Sequence, residues 1–485
     1  MKTRCKFLLV SFVAIVFLAL SHPHVLAAEG GYDLMVCSLE NEVLSTEHFS
    51  NMDELWTGLP ARAVSGKTLK IVLKEDWNLY EEKNLSLSEC PIELDLNGHS
   101  IVRHTKNNGQ VSKGGVLSLS GNADFKISDS RPDSAGYDGI KGGVITGGAS
   151  TSGGGAFTLK DNAKLTIAGG TVYRCTTNEH GGAVMLTGSS DKHPTFEMTG
   201  GRIYFCQTTG AWGKCHGGAV YADQGDVLLY DCIIDSCYSE DNGGAVYMNS
   251  GSLGIKNARF SANHCLDNGG AVFISGGSLR VFGSRFTTNE AKKDGGAIYV
   301  DADDGSRIRD CVFTRNLAYG AGGALYINDD KAYIMDTDII ANSASGYGGG
   351  VYVDSRYDIG VKGLVRIYNN SGKNDRDNLT LQDGYASRAY LTDGGLYEGS
   401  SIGLSSTGTN VKYAEEISLF QSAYFFSDLG ELALSDTYER EAEMLASSFS
   451  AGRYLWLFAG VPVAVICGVF AYIVRARKAK EEGKA

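Results

Sequence analysis

The stretch "GGAVYMNSGSLGIKNARFSANHCLDN" begins at Gly243, and "GGAVFISGGSLRVFGSRFTTNEAKKD" begins at the next residue, Gly269. A chain that repeats itself every 26 residues must stack unit on unit, because a segment this short cannot close a core alone. Glycine pairs open the units at Gly154, Gly181, Gly217, Gly243, Gly269, Gly295, Gly322 and Gly348, at intervals of 27, 36, 26, 26, 26, 27 and 26. The long interval decomposes into extra residues near 189–194 and near 209–214. Additions that leave the flanking register intact belong in loops. Both are expected to widen the same turn of one enlarged coil.

Within a unit the apolar pattern has period two. Val246 and Met248 share one face, Leu253 and Ile255 a second, and Phe260 sits on a third, as expected for short strands with one side inward. Three strands per unit, separated by Gly, Asn, Asp and Ser turns, predict one coil of a parallel β-helix, each strand pairing with its counterpart about 4.8 Å away in the next coil. The usual sense of strand crossovers makes the helix right-handed. The strand pattern of leucine-rich repeats and the calcium-binding nonapeptide are both missing, and propeller blades are longer than these units. With 63 Gly against only 6 Pro in 485 residues, the chain turns often yet keeps its backbone donors. Disordered stalks have a different composition.

In-register stacking predicts columns of like residues, and the sequence contains them. Three residues beyond the third-strand apolar position stand Cys175, Cys206, Cys237, Asn263, Asn289, Asn316, Asn342 and Asn370. Asparagines in such a column can pass amide hydrogen bonds from coil to coil, and a small thiol fits the same slot. Neighbouring ladder positions are close enough for Cys206 to bond to Cys175 or Cys237, but buried free thiols are the expected state. No C-x-x-C spacing occurs. Cys206, Cys215, His216, Cys232 and Cys237 cluster in sequence but fall on different columns, so no metal site is expected, and no cofactor motif is present.

A second column is aromatic: Tyr221, Tyr247, Phe273, Tyr299, Tyr326 and Tyr352, one ring in each of six consecutive coils. Their neighbours on either side read as core, so parity puts the rings outside. Stacked rings can serve the sheet alone, or form a platform for sugar rings or a partner protein. Together with Trp212, in the second insertion of the enlarged coil, they are the candidate binding residues.

The ends suggest an address. Lys2, Arg4 and Lys6 precede an apolar run over 7–20 and small residues near position 27, the pattern of a removed export signal over 1–27. Residues 454–474 carry no charge and are followed by Arg475, Arg477, Lys478 and Lys480, the pattern of a membrane-spanning helix with a basic cytoplasmic tail over 475–485. The intervening domains are read as an N-terminal cap over 28–66 whose short helix carries Leu55, Trp56 and Leu59, first irregular coils over 67–150, regular coils over 151–372, a C-terminal β cap over 373–434 and a linker over 435–453. A net charge of −12 with no basic block outside the membrane flank argues against nucleic acid as a partner.

"IELDLNGHSIVR" (92–103), the GGA starts and the F-x-x-N pairs Phe260/Asn263, Phe286/Asn289 and Phe313/Asn316 resemble right-handed parallel β-helix surface proteins of bacteria. The last two features are similar to the chlamydial polymorphic outer-membrane protein repeat. The tail over 378–406 resembles the post-helix segment of large Gram-positive surface proteins. The resemblance implies a secreted or surface-anchored β-helix, of a kind commonly described as an adhesin or left without an assigned role. Two functions follow as expectations: a non-enzymatic rod that binds a glycan or a host or neighbour-cell protein, or a polysaccharide lyase or hydrolase of pectate-lyase-like fold. The latter needs paired carboxylates on one face. Asp301, Asp303 and Asp304 are the densest group, but repeat alignment puts them in a solvated turn, so no catalytic residue is assigned.

Overall fold

The computed structural model describes residues 30–446, except 87–89, 105, 108–109, 112, 303–304, 329–331, 355–356, 374, 383–388, 408–413, 416–423, 429–431, 435–440 and 443. The segments read as export signal, membrane helix and basic tail, and most of the linker, lie outside the described residues. Among those described, no helix is long and apolar enough to cross a membrane.

The repeats coil into a parallel β-solenoid. In the coil starting at Gly243 the strands are Val246–Met248, Ser252–Lys256 and Arg259–Ser261, followed by a fourth, His264–Cys265. Three strands per coil were expected, so the fourth is a correction. Its two residues are too few to show a period in sequence, yet they form their own sheet of 8 strands from Ala149–Ser150 to Ser343–Ala344. Every junction is in register: Val246 pairs with Val272, Leu253 with Leu279, Phe260 with Phe286 and Cys265 with Ala291.

The glycine pair is a steric requirement. Gly243 has φ of 69°, and a Cβ there would lie 2.4 Å from the Val246 carbonyl oxygen. A Cβ on Gly244 would lie 2.1 Å from the carbonyl oxygen of Gly270 in the next coil. The first glycine therefore makes the turn and the second lets the coils approach. Two other corners bend at non-glycine residues with positive φ: Asp231, Asn257, Asp310 and Asp336 before the third strand, and Ala262, Thr288, Arg315 and Ala341 after it.

Inside, Phe260, Phe286 and Phe313 stack with centroids 4.8 Å apart and are fully buried. The Asn column follows each second bend. Asn289 accepts the Asn263 backbone N–H and Nδ2 at its Oδ1, at 3.1 and 3.0 Å, and donates its own Nδ2 to Asn316 Oδ1 at 2.9 Å and to the Phe260 carbonyl at 3.2 Å. Asn316, Asn342 and Asn370 repeat this geometry. The ladder then continues off-period to Asn378 and ends on Asp428, whose carboxylate accepts the backbone N–H and Nδ2 of Asn378.

At the N-terminal end an antiparallel hairpin, Tyr32–Ser38 and Val43–Phe49, pairs with Lys67–Leu73. The helix Met52–Arg62, capped by Asn51, buries Leu55, Trp56 and Leu59, with Trp56 5.3 Å from Trp77 and 6.0 Å from Phe125. At the other end Ser401–Ser406 pairs with both Arg366–Tyr368 and Leu379–Leu381. This joins the first- and third-strand ladders into one sheet of 24 strands.

Candidate functional site

The six aromatic residues occupy the middle position of successive first strands and pair directly, Tyr221 with Tyr247 through to Tyr326 with Tyr352. Their ring centroids are spaced 5.3, 5.2, 4.9, 4.7 and 5.1 Å. The column thus repeats at the strand spacing, because stacked rings and strands share one axis. The rings lie half-buried rather than fully outside, and Tyr352 is only 7% exposed. Their flat sides face each other, so from Tyr221 to Tyr326 the column offers solvent a partly exposed ridge of ring edges and not an open plane. Burial pushes the phenols of Tyr221, Tyr247, Tyr326 and Tyr352 up and that of Tyr299 up to about 12, which leaves them protonated donors.

Two histidines extend the column and were missed in the sequence. His180 stacks on Tyr221 at 4.2 Å and His216 on Tyr247 at 4.4 Å, with the two imidazoles 5.2 Å apart. Each precedes a glycine pair, where other coils carry Asn242, Asn268 and Asp294. That position forms a second polar column: the His216 backbone N–H donates to His180 Nδ1 at 3.4 Å, and Asn268 Nδ2 donates to Asn242 Oδ1 at 3.1 Å. Burial, and then the neighbouring His216, lower the His180 pKa to about 4.

Trp212 is the most exposed large apolar residue described, at 79%. The two insertions of the enlarged coil do not widen one turn. Residues 189–194 follow the first strand Val184–Thr187, whereas 209–214 follow the fourth strand Gln207–Thr208 and lead into the next coil. They therefore lie at opposite ends of the first strand and bracket the head of the aromatic column. The sequence period located each insertion between strands, but without the fourth strand both were assigned to a single bend.

In the upper ladder, Cys175, Cys206 and Cys237 are free and buried, with Sγ atoms 4.0, 3.8 and 4.0 Å from the carbonyls of Ile145, Val172 and Ile203. They occupy the asparagine slot and point at the same class of carbonyl. Burial pushes the Cys206 and Cys237 thiols up, that of Cys237 to about 12, so they remain unreactive thiols. Cys232 lies at the bend before the third strand and Cys215 in the turn before Gly217, apart from the ladder. Among the described residues no three metal-binding side chains come together.

Asp301 follows the first strand Ile298–Val300 and accepts a hydrogen bond from Asn328 Nδ2 at 3.0 Å. Asp303 and Asp304 lie outside the described residues. The "DLNGHS" stretch makes a turn: Asp95 Oδ1 accepts from the backbone N–H of Asn97 and of Ser130, both at 2.9 Å, and Asp129 Oδ1 from that of Gly98 at 2.8 Å. A cleft of about 290 Å³ beside it is lined by residues that include Asp76, His99, Arg131 and Tyr137.

Residues 195–371 match the protein family described as "Right handed beta helix region". Among curated proteins and among solved structures nothing matches the chain. The match covers the coils from the strand Thr195–Met198 to Ser371 and agrees with a right-handed sense.

Proposed function

We propose that this right-handed parallel β-helix repeat protein is a non-catalytic binding rod displayed on the outside of a cell, exported by its N-terminal segment and tethered by residues 454–474. Its contact surface is the edge of the aromatic column together with Trp212, and its ligand a neutral face of a glycan. One observation carries the reading: six aromatic residues in unbroken register, Tyr221 to Tyr352, lead up to a coil whose insertions bracket the column and expose a tryptophan at 79%. Core packing has no use for Trp212 at that exposure, and amphipathic rings at a site edge are the usual seat of carbohydrate and protein contacts.

The test is a glycan array probed with the purified full-length chain and with its Trp212→Ala variant. Binding to neutral glycans that falls at least about tenfold in the variant, the loss expected of an anchoring tryptophan, supports the reading. Equal binding by both proteins, or none by either, sinks it. The tether is tested separately: protease added to intact cells should remove the repeats, and a chain truncated after residue 450 should appear in the medium.

A further inference from the structure

We propose that the corner between the second and third strands of the coils starting at Gly243, Gly269 and Gly295 is a binding site for an anionic polysaccharide, whose sulfate or carboxylate groups pair with the cations there. The site lies on a different face from the aromatic column. Lys256, Arg259, Arg280, Arg285, Arg307 and Arg309 are all exposed, and the coil geometry gathers them. Arg259 pairs in register with Arg285, Arg280 with Arg307, and Lys256 lies two strands from Arg309 in the same column. Successive coils are about 4.8 Å apart and residues along a strand about 3.3 Å, so the cations cover roughly 10 by 15 Å.

Three observations point to a ligand. First, like charges directly opposite on neighbouring strands oppose folding, and here they recur in two columns of a protein whose net charge is −12. Second, most of them lack a counter-ion. Arg309 approaches Asp310 at 3.2 Å and Asp336 at 3.7 Å, whereas Lys256, Arg259, Arg280, Arg285 and Arg307 form no ion pair among the described residues. The carboxylates on the adjoining coils are engaged elsewhere: Asp235 pairs with Arg202, and Asp338 with Arg366. Third, Phe282, 41% exposed, lies in the middle of the patch with the Arg309 guanidinium 5.8 Å from its ring, an apolar face among oxyanion binders.

Five of the six cations are arginines, whose planar forks hold carboxylate and sulfate oxygens in pairs. An acidic sugar chain supplies anions at intervals comparable with one coil and a ring face for Phe282. Nucleic acid suits the patch less well. A duplex presents phosphates well beyond the patch, and here Asp231 and Asp336 bound the cations on either side along the axis and leave no longer basic track.

The experiment immobilises heparin, desulfated heparin, polyuronate and duplex DNA, and measures binding of the full-length chain from low to high salt. The variants are Arg259→Gln/Arg280→Gln/Arg285→Gln/Arg307→Gln and, as a control elsewhere on the rod, Lys141→Gln/Lys160→Gln. Expected is salt-sensitive binding to heparin or polyuronate that the quadruple variant weakens at least about tenfold with a shallower salt slope, while the control pair binds as wild type. The two sugar arms tell sulfate from carboxylate as the anion recognised. Thermal unfolding separates binding from folding, because removing in-register repulsion should leave the midpoint of the quadruple variant equal or higher. No binding to any acidic sugar, equal binding by the quadruple variant, or tighter binding to DNA than to sugar would each overturn the proposal. None of these outcomes bears on Trp212 or on neutral glycans.

Discussion

Two halves of one column do the same work with different chemistry. From Cys175 to Cys237 the slot behind the third strand holds thiols, and from Asn263 to Asn370 it holds amides. Both reach back to a third-strand carbonyl, the thiols at 3.8 to 4.0 Å and the amides at 2.8 to 3.2 Å. Only the amides also reach forward, each Nδ2 donating to the Oδ1 of the next coil, which in turn takes the backbone N–H. In this slot the lower coils are therefore tied by a continuous chain of amide hydrogen bonds, whereas the upper coils have weaker thiol contacts, such as that of Cys206 with Cys175. A buried slot must satisfy the backbone groups exposed by the bend, and more than one side chain can do so.

The largest effect should come from breaking the tied half. Asn316→Ala removes the acceptor of the Asn289 backbone N–H and the donor to the Phe286 carbonyl. Two buried groups left unpaired cost about 1–3 kcal/mol each, so denaturant unfolding should show a loss of about 3–5 kcal/mol. A loss below about 1 kcal/mol would mean that the amide ladder is dispensable.

Acid should act in opposite senses on the two halves. His180, in the upper coils, has its pKa lowered from 6.5 to about 4 by burial and then by His216. Its contribution is present above about pH 6.5 and is lost as pH falls toward 4. Asp428, at the foot of the ladder, has its pKa raised from 3.8 to about 6 by burial, against hydrogen bonds from Asn378 that lower it. Its contribution is present below about pH 4 and is lost as pH rises through 6. Hydrogen exchange, corrected for intrinsic rates, should show the coils around His180 opening and the foot of the ladder around Asp428 tightening between pH 7 and 4.5. His180→Phe should weaken the first response, leaving the part carried by His216, whose pKa burial also lowers, and Asp428→Asn should weaken the second.

Smaller effects sharpen the contrast. Cys206→Ala removes a distant thiol contact and little volume, and should cost about 1–2 kcal/mol in the same unfolding assay. Cys237→Asn should extend the amide ladder by one rung, donating to Asn263 Oδ1 and the Ile203 carbonyl, and raise stability by up to about 1 kcal/mol. Destabilisation of that variant by more than about 1 kcal/mol would show that the upper coils are too tight for an amide.

The columns were legible because a fixed period plus in-register stacking determines every axial neighbour. Asn263 above Asn289 and Tyr247 beside Phe273 need nothing more than the 26-residue spacing. The parity of the aromatic residues was also right, but their half-burial was not legible, because it depends on how neighbouring turns fold over the strand. Asn378 and Asp428 escaped for another reason. They continue the ladder after 8 and 50 residues, where an irregular segment replaces a full coil and the period ends. His180 and His216 had a signal, their place before the glycine pair, that could have been aligned with Asn242 and Asn268.

By itself the sequence determined what lies above and below each residue: the strands, the glycine corners, the ladder and the aromatic column. Only the tertiary structure decided what lies to the side. The fourth strand depends on bends at residues such as Ala262 and Thr288, and the gathering of Lys256, Arg259, Arg280 and Arg285 at one corner on bends at Asn257 and Gly283. Asn257, Ala262 and Thr288 adopt positive φ without a glycine to announce them. Translation along the axis is written in the repeat, whereas rotation about it is set by backbone angles that the packed coils impose.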